Sequence, residues 1–273
     1  MLTFAKERIQ VICSQLKKQA FGEKVPLTRW EMKEGLYFTP EEAENTGQVW
    51  QAFYSERDHW TGPDAHDWFR ARFAVPESMA GKPLWLVIRT QIDEWDDAKN
   101  PQFLAFLNGA PVQGLDMHHR EIALTQSAVA GETYTIDLQA YTGTLHAEFR
   151  LLAEVVEVIP SVYSLYYDLQ VPLWALPRMG EEDEARRSIE RILNDAVNLL
   201  DLRAPHSPAY FKSVDEAAAY LRQKLYAEQA GLSEVIATCV GHTHIDVAWW
   251  WTVAQTREKV ARSFATVLRL MDE

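Results

Sequence analysis

The periodicity of apolar positions changes several times along the chain. Between residues 3 and 20, Ile9, Ile12 and Leu16 recur at helical spacing, and Lys17 and Lys18 fall where a helix C-terminus favours positive charge. From about Gln48 to Val158 the runs are short, rich in Val, Phe, Trp and Thr, and divided by turn residues. Trp68 to Val75 alternates large and polar side chains until Pro76; Leu84–Arg89, Phe103–Leu107, Thr133–Leu138 and His146–Leu152 read as further strands. Asn108-Gly109 directly after a strand predicts a tight hairpin. Many short strands at this spacing predict an antiparallel β-sandwich, jelly-roll-like. From Glu181 the period becomes helical: Ala185, Ile189, Ile192, Leu193, Ala196, Leu199 and Leu200 share one face behind the acidic start Glu181–Glu184. A second helix is expected to open at Ser213, with Glu216 completing a capping box, and to close at Gly231. Last come a buried strand, Val235–Val240, and a helix whose apolar residues Val260, Phe264, Val267, Leu268 and Met271 should form its buried face. The implied divisions are an N-terminal helix (1–25), the β-sandwich (26–160), a helical linker (161–232) and a closing strand–helix segment (233–273).

With 47% hydrophobic and 24% charged residues over 273 positions, the chain can build a sizeable core, and about two domains are expected. A net charge of -12 argues against nucleic acid or an anionic membrane as partner, since both require a positive footprint. No apolar window approaches a membrane span, and the N-terminus lacks the uninterrupted apolar stretch of a secretory signal. Cys13 and Cys239 lie in unlike contexts, which predicts no disulfide and a reducing, cytoplasmic compartment.

The chemistry is concentrated after Gly241, where His242, His244 and Asp246 precede three consecutive tryptophans, Trp249–Trp251. Ligand-capable side chains at the carboxyl end of a strand occupy the place where α/β enzymes put their sites. Zinc accepts imidazole nitrogen and carboxylate oxygen, and residues two apart in extended backbone point the same way. His242 shares that parity, so spacing does not choose between the histidines. An Asp246 that merely caps the following helix explains the same residues.

The run Gly241-His-Thr-His-Ile-Asp-Val-Ala-Trp249, with Arg257-Glu258 and Ser263–Met271 in the helix behind it, resembles the start of the catalytic domain of α-mannosidases of glycoside hydrolase family 38. The layout of a sandwich and helical linker before it resembles the bacterial and cytosolic type of that family. The resemblance implies that 233–273 is the first strand and helix of a truncated α/β catalytic barrel, giving an α+β chain. It also implies that His244 and Asp246 are the first two zinc ligands, that Trp249 carries the mannose ring, and that His242 is not a ligand. Trp250 and Trp251 have no such role and are expected in the core. The implied activity is zinc-dependent, retaining hydrolysis of terminal α-linked mannose from glycans. The nucleophile and acid, which must face each other about 5 Å apart, would lie downstream. No catalytic residue is therefore assigned in this chain, and on its own it is expected to be inactive.

Two other readings remain open. The sandwich could be a stand-alone carbohydrate-binding or assembly module, or the motif could open another zinc hydrolase in which His242 and His244 are joint ligands. Trp50, Tyr54, Trp60 and Trp68 are expected in the core rather than in a sugar groove, and Asp93–Asp97 as a solvated turn. His118 and His119 are expected on opposite faces of a strand, which excludes a shared metal. The sequence leaves homo-oligomerisation open.

Overall fold

The computed structural model describes residues 4–90, 101–144, 147–228, 238, 240 and 244–272. The chain divides into two compact units, Met1–Gly22 with Val158–Thr238, and Glu23–Glu157 with Cys239–Glu273.

The first unit is helical: α1 (Ala5–Gln19), α3 (Pro160–Ala175), α4 (Glu184–Asn198) and α5 (Pro208–Leu221). Ile9, Ile12, Cys13 and Leu16 of α1 are buried with Leu165 and Leu169 of α3, Leu193 and Ala196 of α4, and Tyr210 and Val214 of α5. Cys13 is a free thiol, and burial pushes its pKa up to about 11. Helix α4 starts where its acidic run predicts, at Asp183, whose carboxylate accepts from the Ala185 amide at 2.8 Å. Helix α5 begins earlier than expected. Its N-cap is Ser207, whose hydroxyl accepts from the Tyr210 amide, and Pro208 occupies the first turn, where a missing N–H costs nothing. Ser213 instead lies inside the helix and donates to the Tyr210 carbonyl at 2.7 Å. The expected close at Gly231 lies outside the described residues.

The second unit is built from antiparallel pairs. One sheet has the order β1 (Phe21–Pro26), β12 (Leu152–Val158), β6 (Leu84–Arg89), β9 (Glu121–Thr125). The other runs β3 (Gln51–Tyr54), β2 (Arg29–Glu34), β5 (His66–Ala74), β10 (Thr133–Tyr141), β7 (Gln102–Leu107), β8 (Ala110–Leu115). A two-stranded piece pairs β4 (Trp60–Thr61) with β11 (Glu148–Phe149). The expected strand His146–Leu152 is thus divided, because Phe149 joins Trp60 while Leu152 begins a separate ladder on β6. The two large sheets share one core, with Leu84, Leu86 and Val155 from the first against Phe69, Ile136 and Leu138 from the second. Trp60 and Trp68 are fully buried, in keeping with a core role, whereas Trp50 and Tyr54 are only half-buried, with the guanidinium groups of Arg70 and Arg57 against their rings. At the β7–β8 hairpin Asn108 and Gly109 have φ of 50° and 85°, the left-handed pair that such a turn demands. No closed barrel is formed among the described residues.

The six-stranded sheet is covered on its outer face as well. Trp68, Leu104 and Phe106 are buried there with Ala43 from the short helix α2 (Pro40–Glu44). Strand β5 therefore buries both parities, and one inward position is an acid. Asp67 shares its parity with the core residues Phe69, Ala71 and Phe73, is only 3% exposed, and lies directly opposite Glu34 across the ladder. Burial, aided by Glu34, raises its pKa to about 7. The unfolded chain ionises this group near 3.9, so between about pH 4 and pH 7 the native state holds the extra proton and stability falls as pH rises. Asp67→Asn is expected to flatten that slope and to raise the melting temperature at pH 8, read by thermal denaturation across pH.

Candidate metal motif and its seat on the sandwich

Helix α6 (Val253–Asp272) follows the His244–Trp251 motif and packs on β7 and β8 within the second unit. Its orientation departs from the sequence expectation. Gln255, Glu258 and Arg262, spaced to share one helix face, are 5%, 3% and 6% exposed, whereas Phe264, Leu268 and Met271 are 51%, 64% and 62% exposed. The polar stripe meets the sandwich; of the expected apolar face, Val260 and Val267 are half-buried and Phe264, Leu268 and Met271 face solvent. Ala265 also packs on the Trp68–Leu104–Phe106 cluster.

The approach is close because β8 carries Gly114. A Cβ there would stand 2.7 Å from the Arg262 carbonyl oxygen and 2.9 Å from Thr266 Oγ1. The Gly114 amide donates to Thr266 Oγ1 at 3.2 Å. On the same face His66 Nε2 lies 3.0 Å from Glu258 Oε1 and 2.7 Å from Gln255 Nε2. Arg262 Nη1 is 3.5 Å from Glu258 Oε2, and burial lowers the Arg262 pKa against the pull of Glu258 and Tyr141. The Tyr141 ring lies tilted against the His66 ring at 5.2 Å and donates its hydroxyl to Asp64 at 2.6 Å; burial and that carboxylate push the phenol up.

The motif itself is open to solvent. His244 Nε2 and Asp246 Oδ1 lie 3.2 Å apart, with side chains 79% and 50% exposed. The two side chains are thus paired with each other at the surface, and no group of three or more metal-ligating His, Cys, Asp or Glu exists among the described residues. An imidazole nitrogen and a carboxylate oxygen suit zinc but fill only part of its shell. Trp249 is 64% exposed and has an edge contact with Trp251 at 5.9 Å. Trp250 is also exposed, contrary to the core role expected for it, and Trp251 is half-buried beneath Lys259, whose Nζ sits 4.0 Å from the ring centre. Asp246 does not cap α6 through its side chain; its carbonyl accepts from Trp251 Nε1 at 3.2 Å. His242, the strand Val235–Val240 apart from Thr238 and Val240, and the loop Asp93–Asp97 lie outside the described residues.

A cavity of about 310 Å³ opens beside the motif, walled by Trp249, Trp251, Lys259 and Arg262 together with Asp116 and His119 of the sandwich. That volume is within the range of small-ligand sites. His118 and His119 are not on a strand: the turn after β8 places both their amides on Asp116 Oδ1, at 2.8 and 2.7 Å. Burial raises the Asp116 pKa, but the bonds from His119 and His118 outweigh it and hold the carboxyl below its ordinary range. The continuous apolar run of β7, buried on both parities, was a sequence signal for a covered outer face, whereas nothing in the sequence marked His66.

Residues 234–273 match the family described as glycosyl hydrolases family 38 N-terminal domain. Across a wider stretch the chain is 27% identical over 225 residues to alpha-mannosidase 2C1 of Mus musculus, covering 76% of this chain and 20% of that protein. It is 23% identical over 226 residues to alpha-mannosidase G of Dictyostelium discoideum, covering 75% and 19%. The chain thus spans about a fifth of the length of these relatives. Among solved structures, a beta-glucuronidase of an uncultured Clostridium sp. covers 50% of this chain and 29% of its own, at 12% identity and a TM-score of 0.35. A superposition of that quality supports no functional inference. A glycosyl-hydrolase-related chain with weak similarity to α-mannosidases is what the matches establish.

The Gly114 contact is directly testable. Gly114→Ala has to push the α6 backbone away, and a loss of about 1–3 kcal/mol is expected from such overpacking, read by chemical denaturation.

Proposed function

We propose that this chain is the N-terminal part of a zinc-dependent, retaining α-mannosidase that removes terminal α-linked mannose from glycans. The observation that carries the reading is that the family 38 match falls on the segment where His244 and Asp246 are paired next to an exposed tryptophan. His244 and Asp246 would hold zinc, which supplies Lewis-acid polarisation of sugar hydroxyls when bound. Trp249 offers its face to the apolar side of a mannose ring, and the adjoining cavity gives room for that ring. The exposed apolar stripe of α6 supports a larger catalytic domain, because a helix hydrophobic on its outer side is built to be covered. That cover would bring the barrel of the α/β domain, the remaining ligands and the facing carboxylates, and these 273 residues alone would be inactive. We place the protein in the cytoplasm on its cysteine usage. Of the sandwich's described tryptophans, Trp30, Trp60 and Trp68 are buried and offer no sugar platform, and Trp50 and Trp85 are half-buried, Trp50 with Lys33 and Arg70 against its ring.

The test uses the full-length chain from its source cells, identified by intact mass. Wild type should carry zinc and cleave an aryl α-mannoside. His244→Ala and Asp246→Ala should lose bound zinc and at least about a hundredfold in kcat/KM, while His242→Ala keeps its metal. Metal loss on His242→Ala would instead favour another zinc hydrolase.

A further inference from the structure

The buried polar cluster between α6 and the sandwich has no part in the function proposed above. His66 from β5 meets both Glu258 and Gln255 through a single ring nitrogen. That nitrogen cannot give a hydrogen to Glu258 and accept one from the Gln255 amide together. Half a turn of the amide resolves the conflict, because Gln255 Oε1, otherwise without a partner, then accepts beside Glu258. Glu258 Oε2 and both terminal nitrogens of Arg262 are buried without hydrogen bonds. For stability alone this is a poor joint, since apolar side chains of similar volume commonly do as well or better. What directional bonds add is register: they fix the rotation of α6 about its own axis, which sliding apolar contacts do not.

The same stretch of helix also grips the motif. Thr256, next to Gln255, donates its hydroxyl to the Val247 carbonyl. Lys259, next to Glu258, covers the Trp251 ring, and Trp251 Nε1 is bonded to the Asp246 carbonyl. A continuous set of contacts therefore runs from Asp64, Tyr141 and His66 on the sandwich, through the first two turns of α6, to the backbone of Asp246 and Val247.

We propose that His66 is a positioning residue for the metal motif, its clamp on Glu258 and Gln255 setting the register in which His244 and Asp246 are presented. The β-sandwich is then a working part of the metal site. The identity of that site as a zinc centre rests on the α-mannosidase reading; the clamp does not.

The experiment compares full-length wild type with His66→Ala, using Val155→Ala, a core substitution in the opposite sheet, as a control for lost stability. Backbone hydrogen exchange over residues 244–256 is followed by mass spectrometry, and zinc affinity by competition with a chelator. Expected for His66→Ala are faster exchange across 244–256 and zinc affinity weakened about tenfold, the lower end of the loss seen for groups bonded directly to metal ligands. Val155→Ala should show neither, and His66→Gln, whose amide still donates to Glu258, should recover both. If His66→Ala does not fold, Gln255→Leu, which removes one arm of the clamp without unpairing a charge, is read in the same way. A folded variant with wild-type exchange and zinc affinity overturns the proposal and leaves the cluster as packing. If wild type holds no zinc and cleaves no α-mannoside, the mannosidase reading fails, and the exchange rates alone decide whether the clamp holds the motif.

Discussion

The close approach of α6 to β8 at Gly114 is the constraint around which the second unit is arranged. With no side chain at that position the helix backbone comes within reach of the strand, and Thr266 can bond to the Gly114 amide. At this separation the facing helix positions, Gln255, Glu258 and Arg262, are stripped of water. Buried polar groups then need partners close at hand, and His66 is the sandwich residue that supplies one. The outward direction of Phe264 and Leu268 follows from the same rotation of the helix.

Seen this way, α6 is a helix with two customers. Its polar side is matched to the outer face of a sheet, and its apolar side is suited to a second hydrophobic layer. Soluble proteins seldom leave a contiguous apolar stripe of this kind to solvent. The sandwich thereby joins the motif-bearing segment through specific bonds instead of serving as a detached neighbour.

Much of the architecture was legible in the sequence. Asn108-Gly109 gave its hairpin because only residues tolerant of positive φ can make that turn. The faces of α1 and of the middle of α4 followed from spacing, since their opposite sides stay wet, although Ala185 and Leu199 at the ends of the expected α4 face are exposed. Helix α3 was not read, because it is apolar on nearly every side and so has little periodicity to detect. The start of α5 was misplaced because Ser213 and Glu216 imitate a capping box, while Ser207-Pro208 is the local signal that wins. The orientation of α6 failed for a deeper reason. Apolar spacing tells which side of a helix seeks cover, but here the covered side was chosen by a glycine and a histidine far away in sequence. That His244 and Asp246 lie side by side was legible from their spacing; the tie of their segment to the sandwich was not.

The separation between His66 and Glu258, 192 residues, also orders events in time. The strands are complete once Val158 has been made, whereas α6 ends at Asp272. At about 5–20 residues per second of synthesis, the intervening stretch takes on the order of ten seconds. Throughout that interval Trp68, Leu104 and Phe106 lack Ala265, and His66 lacks its carboxylate. Chain order thus gives the sandwich strands time to pair before the helix that covers their outer face has been made.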